Sequence, residues 1–298
     1  MRIENDINVA PSESPTVADA VEKLVLRITA RDTGIDLSAV TRILITADLP
    51  DATQRFGGTP VTADQLTRIV REGQGYMLLF SGVRMLEMFK GGVAEVSRVI
   101  HHLHKDLWHL HDVARPRTPK PTTPLARALA PICAIMWQEY RVNRRTAWSV
   151  PRDSDLLMHH LAALLQALPG GMQEELTLYF ADQDLDALFA KSLGRISHLM
   201  QAVAHVQGYL DGIGQPLQTI SPDMHEVVNQ SFLAPLWTTT ARHLAAGYEH
   251  YPAEVADLPL RRDIQNAFAT FGLTIRENDA GDDVWLQVEP PVPPEKMH

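Results

Sequence analysis

The chain has a single cysteine, Cys133, in 298 residues, which excludes a disulfide within the chain and any cysteine-built zinc cage. Positive charge is in deficit: 27 Lys and Arg stand against 36 Asp and Glu, a formal net charge of -9. A nucleic-acid footprint needs the opposite balance, and the one locally basic stretch, Arg141 to Arg145, reads as a solvated or acid-paired helix face. No apolar run is long enough to span a bilayer, and Met1 to Pro15 is polar and acidic rather than basic and then apolar. No membrane partner is therefore expected, and the chain reads as cytoplasmic. A phosphate loop or dinucleotide fingerprint is also missing, because Gly57-Gly58 and Gly91-Gly92 lack the spacing.

What is present is a 45% hydrophobic composition, enough for a substantial core in one large domain or two closely joined ones. Histidine is the oddity: there are 13, five of them between His101 and His111.

Residues 1–16 mix Asn, Asp, Ser and Pro without periodicity and read as a disordered tail, with structure beginning at Val17. Residues 17–112 form an α/β part. Within it, Ala18 to Thr33 reads as a helix giving way to a short strand at Leu24 to Ile28. Thr41 to Thr46 is a β-branched strand closed by Asp48 to Asp51, and Tyr76 to Phe80 is a second strand bounded by glycines. After Gly91-Gly92, the residues Val96, Val99, Ile100, Leu103, Leu107 and Leu110 recur at three- and four-residue spacing and predict a helix over 95–112. Residues 113–124 are a proline-rich connector. Residues 125–288 read as mainly helical, over 125–146, 155–167, 174–210 with a break, 224–250 and 260–271. Corners are expected at Gly170-Gly171 and at Gly212 to Gly214, and a β-hairpin around Asp279 to Asp283 precedes a tail over 289–298. The expected fold is α+β, mostly helical with a small sheet.

A zinc-peptidase helix needs two histidines four apart, so that both imidazoles reach one metal, and a glutamate beside the first to activate water. With His109 as the second ligand, the first ligand position holds Lys105 and the base position Asp106. No other pair repairs the site. His104 and His109 are five apart and point to different sides, while His102/His109 and His104/His111 are seven apart, about 10 Å along the axis. Helical spacing instead lines up His101, Lys105, His109 and Asp112 opposite the apolar stripe. Two further strings lack the rest of their motifs: His101-His102 with Asp106, of the condensation-enzyme type, and His111-Asp112, of the metal phosphohydrolase type. The latter would need ligands such as His159, His160, His198, His205 or Asp184. For His159-His160 the expectation is one histidine at a helix seam and one in water.

The octet Lys105-Asp106-Leu107-Trp108-His109-Leu110-His111-Asp112 resembles the pattern His-Glu-Leu-x-His-Val-His-Asp of bacterial zincin-like metallopeptidase-fold proteins. It matches in the tail and departs at the head. The resemblance extends to Trp137-Gln138-Glu139-Tyr140, where glutamate-type zincins place their third ligand, to the strands at Ile43 to Asp51 and Tyr76 to Phe80, and to Phe271-Gly272-Leu273-Thr274-Ile275 with its hairpin. It implies a zincin-like core helix pair in which Lys105, His109 and Glu139 are the remnant of an eroded site. Lys105 would face Glu139, its ammonium replacing the missing cation. The implied role is a non-hydrolytic binding or regulatory module with no cofactor and an unidentified protein or peptide partner. Two alternatives stand beside it. One is an active hydrolase holding zinc through His109, Glu139 and a third ligand, with Asp106 as a shorter general base. The other is an interaction protein working through its helical C-terminal half. The plain rival to an eroded site is that the Lys105 face is an ordinary solvent-exposed helix surface.

Overall fold

A computed structural model describes residues 2–6, 14–113, 121–150, 156–249 and 257–289. The fold is α+β and mostly helical, with a small mixed sheet and a separate C-terminal hairpin. It divides into two compact units, the first made of Met1–Pro116 and Trp148–Ser154, the second of Arg117–Ala147 and Asp155–His298. Among the described residues, no helix is long and apolar enough to cross a membrane.

The first unit begins with β1 (Arg2–Asp6) and α1 (Ser14–Arg31), continues through β2 (Val40–Thr46), α2 (Leu49–Arg55), β3 (Thr67–Glu72) and β4 (Gly75–Ser81), and ends in α3 (Gly82–Lys90) and α4 (Val93–Val113). The strand order is β1-β2-β4-β3; β1, β2 and β4 run parallel and β3 runs antiparallel at the edge. The two central strands are apolar on both faces because both are covered. Ile43, Ile45, Leu78 and Phe80 pack with α1, α3 and α4, whereas Leu44, Met77 and Leu79 pack with Leu49 and Ala52 of α2.

Besides α2 and α3, which the sequence reading did not give, three elements depart from it. Arg2–Asp6 is a strand and not part of a tail: it lies in register beside β2, and Arg42 bridges Glu4 on one side and Glu72 on the other. Its pairing comes from a partner forty residues away, which its own polar sequence does not announce. Leu24 to Ile28 is helical, because Val17, Val21, Val25 and Ile28 share one buried face of a continuous α1. The β3 strand, with Thr, Arg and Glu among its six residues, was not expected at all; Gly73, at φ +58°, opens the two-residue turn that leads from it into β4.

In the second unit, α5 (Pro124–Thr146) is followed by a 3-10 turn at Ala147–Ser149, whose last two residues belong to the first unit. Then come α6 (Leu156–Asp182), α7 (Leu185–Ile213), α8 (Leu217–Ile220), α9 (Pro222–Gln230), α10 (Ala234–Glu249) and α11 (Asp257–Ala269), before the antiparallel pair β5 (Leu273–Glu277) and β6 (Val284–Val288). Gly170-Gly171 is not a corner. Leu161, Leu165, Leu168 and Met172 keep one buried stripe running through it, and packing outweighs the weak helix preference of glycine. The chain turns instead at Gln183, at φ +60°, after which the Asp184 carboxylate caps α7 by accepting from the Ala187 N–H at 2.9 Å. The expected corner at Gly214 is present, with φ +65°. Most of the proline-rich connector lies outside the described residues, as do the expected tail over 289–298, apart from Glu289, and His250 at the end of its predicted helix.

The α5 and α7 helices pack at glycine. A Cβ on Gly208 would sit 2.3 Å from the Tyr140 carbonyl oxygen, a contact that only backbone movement relieves. Gly208→Ala should therefore lower stability by about 1–3 kcal/mol. Gly194→Ala, on the same helix with nothing within 4 Å of the added carbon, should raise it by about 0.5–1 kcal/mol. Urea unfolding midpoints of the two variants check the opposite signs.

Candidate functional site

Helix α4 positions the candidate residues. Val99, Leu103, Leu107 and Leu110 are fully buried in the core of the first unit, each contributing about 1.5–3 kcal/mol. The buried arc is wider than the apolar stripe alone, since His104, Trp108 and His111 are buried as well. These three lie on a side of the helix held by polar contacts. Asp32, just beyond α1, accepts from Trp108 Nε1 at 2.7 Å and lies 3.1 Å from His104 Nε2, both through Oδ2. His111 Nδ1 accepts from the Asp36 backbone N–H at 2.8 Å and its ring packs edge-on against Trp108. Burial pushes His104 below the ordinary imidazole range, an effect that the neighbouring Asp32 opposes.

Lys105, Asp106, His109 and Asp112 occupy the remaining side and are all half-buried, so this is not the freely solvated face of the plain reading. Asp106 is tied to the sheet: Thr67 Oγ1, the first residue of β3, donates to its Oδ2 at 2.5 Å. Burial pushes the Asp106 carboxyl up to about 6, against the opposing pull of the Thr67 hydrogen bond and the Lys105 ammonium.

Among the described residues, the β3 strand that carries Thr67 is an edge of its sheet. The Ser81 N–H bonds to the Leu66 carbonyl at 2.8 Å, and alternation along an antiparallel pair then turns Arg68, Val70 and Glu72 toward β4. Thr67, Ile69 and Arg71 direct their backbone N–H and C=O groups outward, beside α4.

Lys105, Asp106 and His109 belong to the first unit and Glu139 to the second. Within the second unit Glu139, on α5, accepts from Asn143 Nδ2 at 3.1 Å and from Gln201 Nε2 at 3.2 Å, and His205 Nδ1 lies 3.9 Å from its Oε2. Among the described residues no three His, Cys, Asp or Glu side chains are grouped as a metal site requires. Among the described residues, neither of the two other strings is completed within the first unit. His102 is exposed while Asp106 is bound to Thr67. Of the possible partners for His111-Asp112, His159, His160 and His198 are exposed and Asp184 caps α7; both members of the His159-His160 pair therefore face solvent.

Thr67 and Asp32 escaped the sequence reading. Each meets α4 across 39 or more residues, and no local spacing connects them. No family model, curated protein or solved structure matches the chain.

The Asp106 carboxyl binds its proton more tightly in the folded chain, at about 6, than at the ordinary value of 3.8 expected when unfolded. Its contribution thus favours the fold below that ordinary value and is lost as pH rises through about 6. Asp106→Asn should differ little from the parent in stability at pH 4 and exceed it at pH 7.5, by urea unfolding at both values. A difference that does not change with pH would remove the assignment.

Proposed function

We propose that the chain is a zincin-like binding module whose α4 face no longer supports zinc hydrolysis. The pair Lys105-Asp106 carries this reading. Zinc requires neutral or anionic donors, and an ammonium at the first ligand position repels a divalent cation while adding no lone pair. Asp106 is one methylene shorter than the glutamate that would activate metal-bound water, and its carboxyl is engaged by Thr67.

The same geometry supports binding. An antiparallel edge strand with outward N–H and C=O groups at Thr67, Ile69 and Arg71 accepts an extended peptide as an added strand, and the half-buried Lys105, Asp106 and His109 side chains lie on the helix beside it. The partner is accordingly a protein or peptide segment in extended form, bound without a metal cofactor.

Zinc content tests the reading. Chain purified without a histidine tag should carry no stoichiometric zinc by elemental analysis, and a Lys105→His, Asp106→Glu double variant should gain it. Stoichiometric zinc in the parent chain, lost in His109→Ala or Glu139→Ala, would overturn the proposal in favour of an active metallohydrolase.

A further inference from the structure

One residue in the first unit completes a chain of contacts that no motif announced. Ser149, in the 3-10 turn after α5, has its Oγ 3.0 Å from His104 Nδ1 and 2.9 Å from His101 Nδ1. His104 is fully buried and its Nε2 lies 3.1 Å from the Asp32 carboxylate. With His104 neutral, its contacts assign the tautomer. The carboxylate only accepts, so His104 carries its proton on Nε2, and its Nδ1 is then an acceptor. The Ser149 hydroxyl therefore donates to His104 Nδ1, and the His101 Nδ1–H donates to Ser149 Oγ.

Hydroxyl, imidazole and carboxylate in this order are the parts of an activated serine: a nucleophile, a base in contact with it and a carboxylate that fixes the base's tautomer and stabilises its cation. The roles of the two ring nitrogens are exchanged relative to the usual serine-protease arrangement, which leaves the chemistry unchanged. Three features fit reaction rather than mere packing. Ser149 is partly exposed while its base is buried. Burial lowers the His104 pKa, against the pull of Asp32, and so favours the neutral imidazole whose Nδ1 accepts from the serine. Beside the serine, the Trp148 ring is 39% exposed, packs 4.6 Å from the His104 ring and carries the Arg31 guanidinium 3.8 Å from its centroid, an amphipathic surface for an acyl or aryl group.

We propose that Ser149, His104 and Asp32 form a metal-free acyl-transfer site that acts on carboxylic esters. Ser149 Oγ attacks the ester carbonyl carbon as its proton passes to His104 Nδ1, and Asp32 stabilises the imidazolium through Nε2. Collapse of the tetrahedral adduct breaks the carbonyl carbon to alkoxy oxygen bond, and His104 returns the proton to the departing alcohol. Water, deprotonated by His104, then cleaves the acyl-serine and restores the hydroxyl, with the His101 N–H beside Oγ as it leaves. Ser149, His104 and Asp32 take no part in the zinc reading, so this site stands or falls separately from the zinc question.

The test uses the full chain, a small alkyl fluorophosphonate and p-nitrophenyl acetate. The expected result is a single phosphonyl adduct, mapped by peptide mass spectrometry to Ser149, and ester turnover that falls at least about 100-fold in Ser149→Ala. Asp32→Asn, which keeps the side-chain shape but not the charge, should slow labelling and turnover about tenfold or more. Because His104 is buried and its replacement risks the fold, circular dichroism and thermal melts accompany each variant. Failure of the natively folded parent chain to take up the probe, labelling elsewhere, or parental turnover in folded Ser149→Ala would each overturn the proposal.

Discussion

Burial of Val99, Leu103, Leu107 and Leu110 against the sheet fixes the axis and rotation of α4, and helix geometry then sets the direction of every other side chain on it. His104, Trp108 and His111 are sent toward Asp32 and Asp36, and Asp106 toward Thr67 of β3. The apolar contacts contain no chemistry themselves. They make the polar contacts possible by removing the freedom that a loose helix would retain, so that each hydrogen bond costs little further ordering.

The legible parts of the fold are those whose sequence pattern and environment agree. β2 and β4 are apolar on both faces and were found close to their true limits; α4 and the C-terminal hairpin were equally clear. The errors arise where a distant partner decides. Polar Arg2–Asp6 becomes a strand because β2 offers an unpaired edge and Arg42 answers Glu4. The apolar run at Leu24 to Ile28 fits strand or helix, and only the burial of Val17, Val21, Val25 and Ile28 on one face selects the helix. At Gly170-Gly171, intrinsic preference pointed to a corner, and a continuous buried stripe overrode it.

The candidate site divides in the same way. Spacing alone singled out Lys105, Asp106 and His109, since helical periodicity is a local property. Asp32, Thr67 and Ser149 could not be read in advance, because they reach α4 from a helix end, an edge strand and a short turn separated by 39 to 76 residues. A motif search sees the residues that share an element. Contacts made between elements become visible only when the fold brings them together.

That distinction also separates the two faces of α4. Lys105 follows His104 by one residue and points about 100° away from it, so a change in charge on one face leaves the other in place as long as the four apolar anchors hold. A helix fixed in this way can lose the ligands for one reaction without disturbing a second set of contacts, and loss of a recognised motif is a poor measure of what the whole element still does. The stronger guide is the buried polar chain. Placing His104 in the core without partners would cost about 1–3 kcal/mol or more. Its alignment between Asp32 and Ser149 offsets that cost and at the same time fixes the tautomer that leaves Nδ1 facing a hydroxyl.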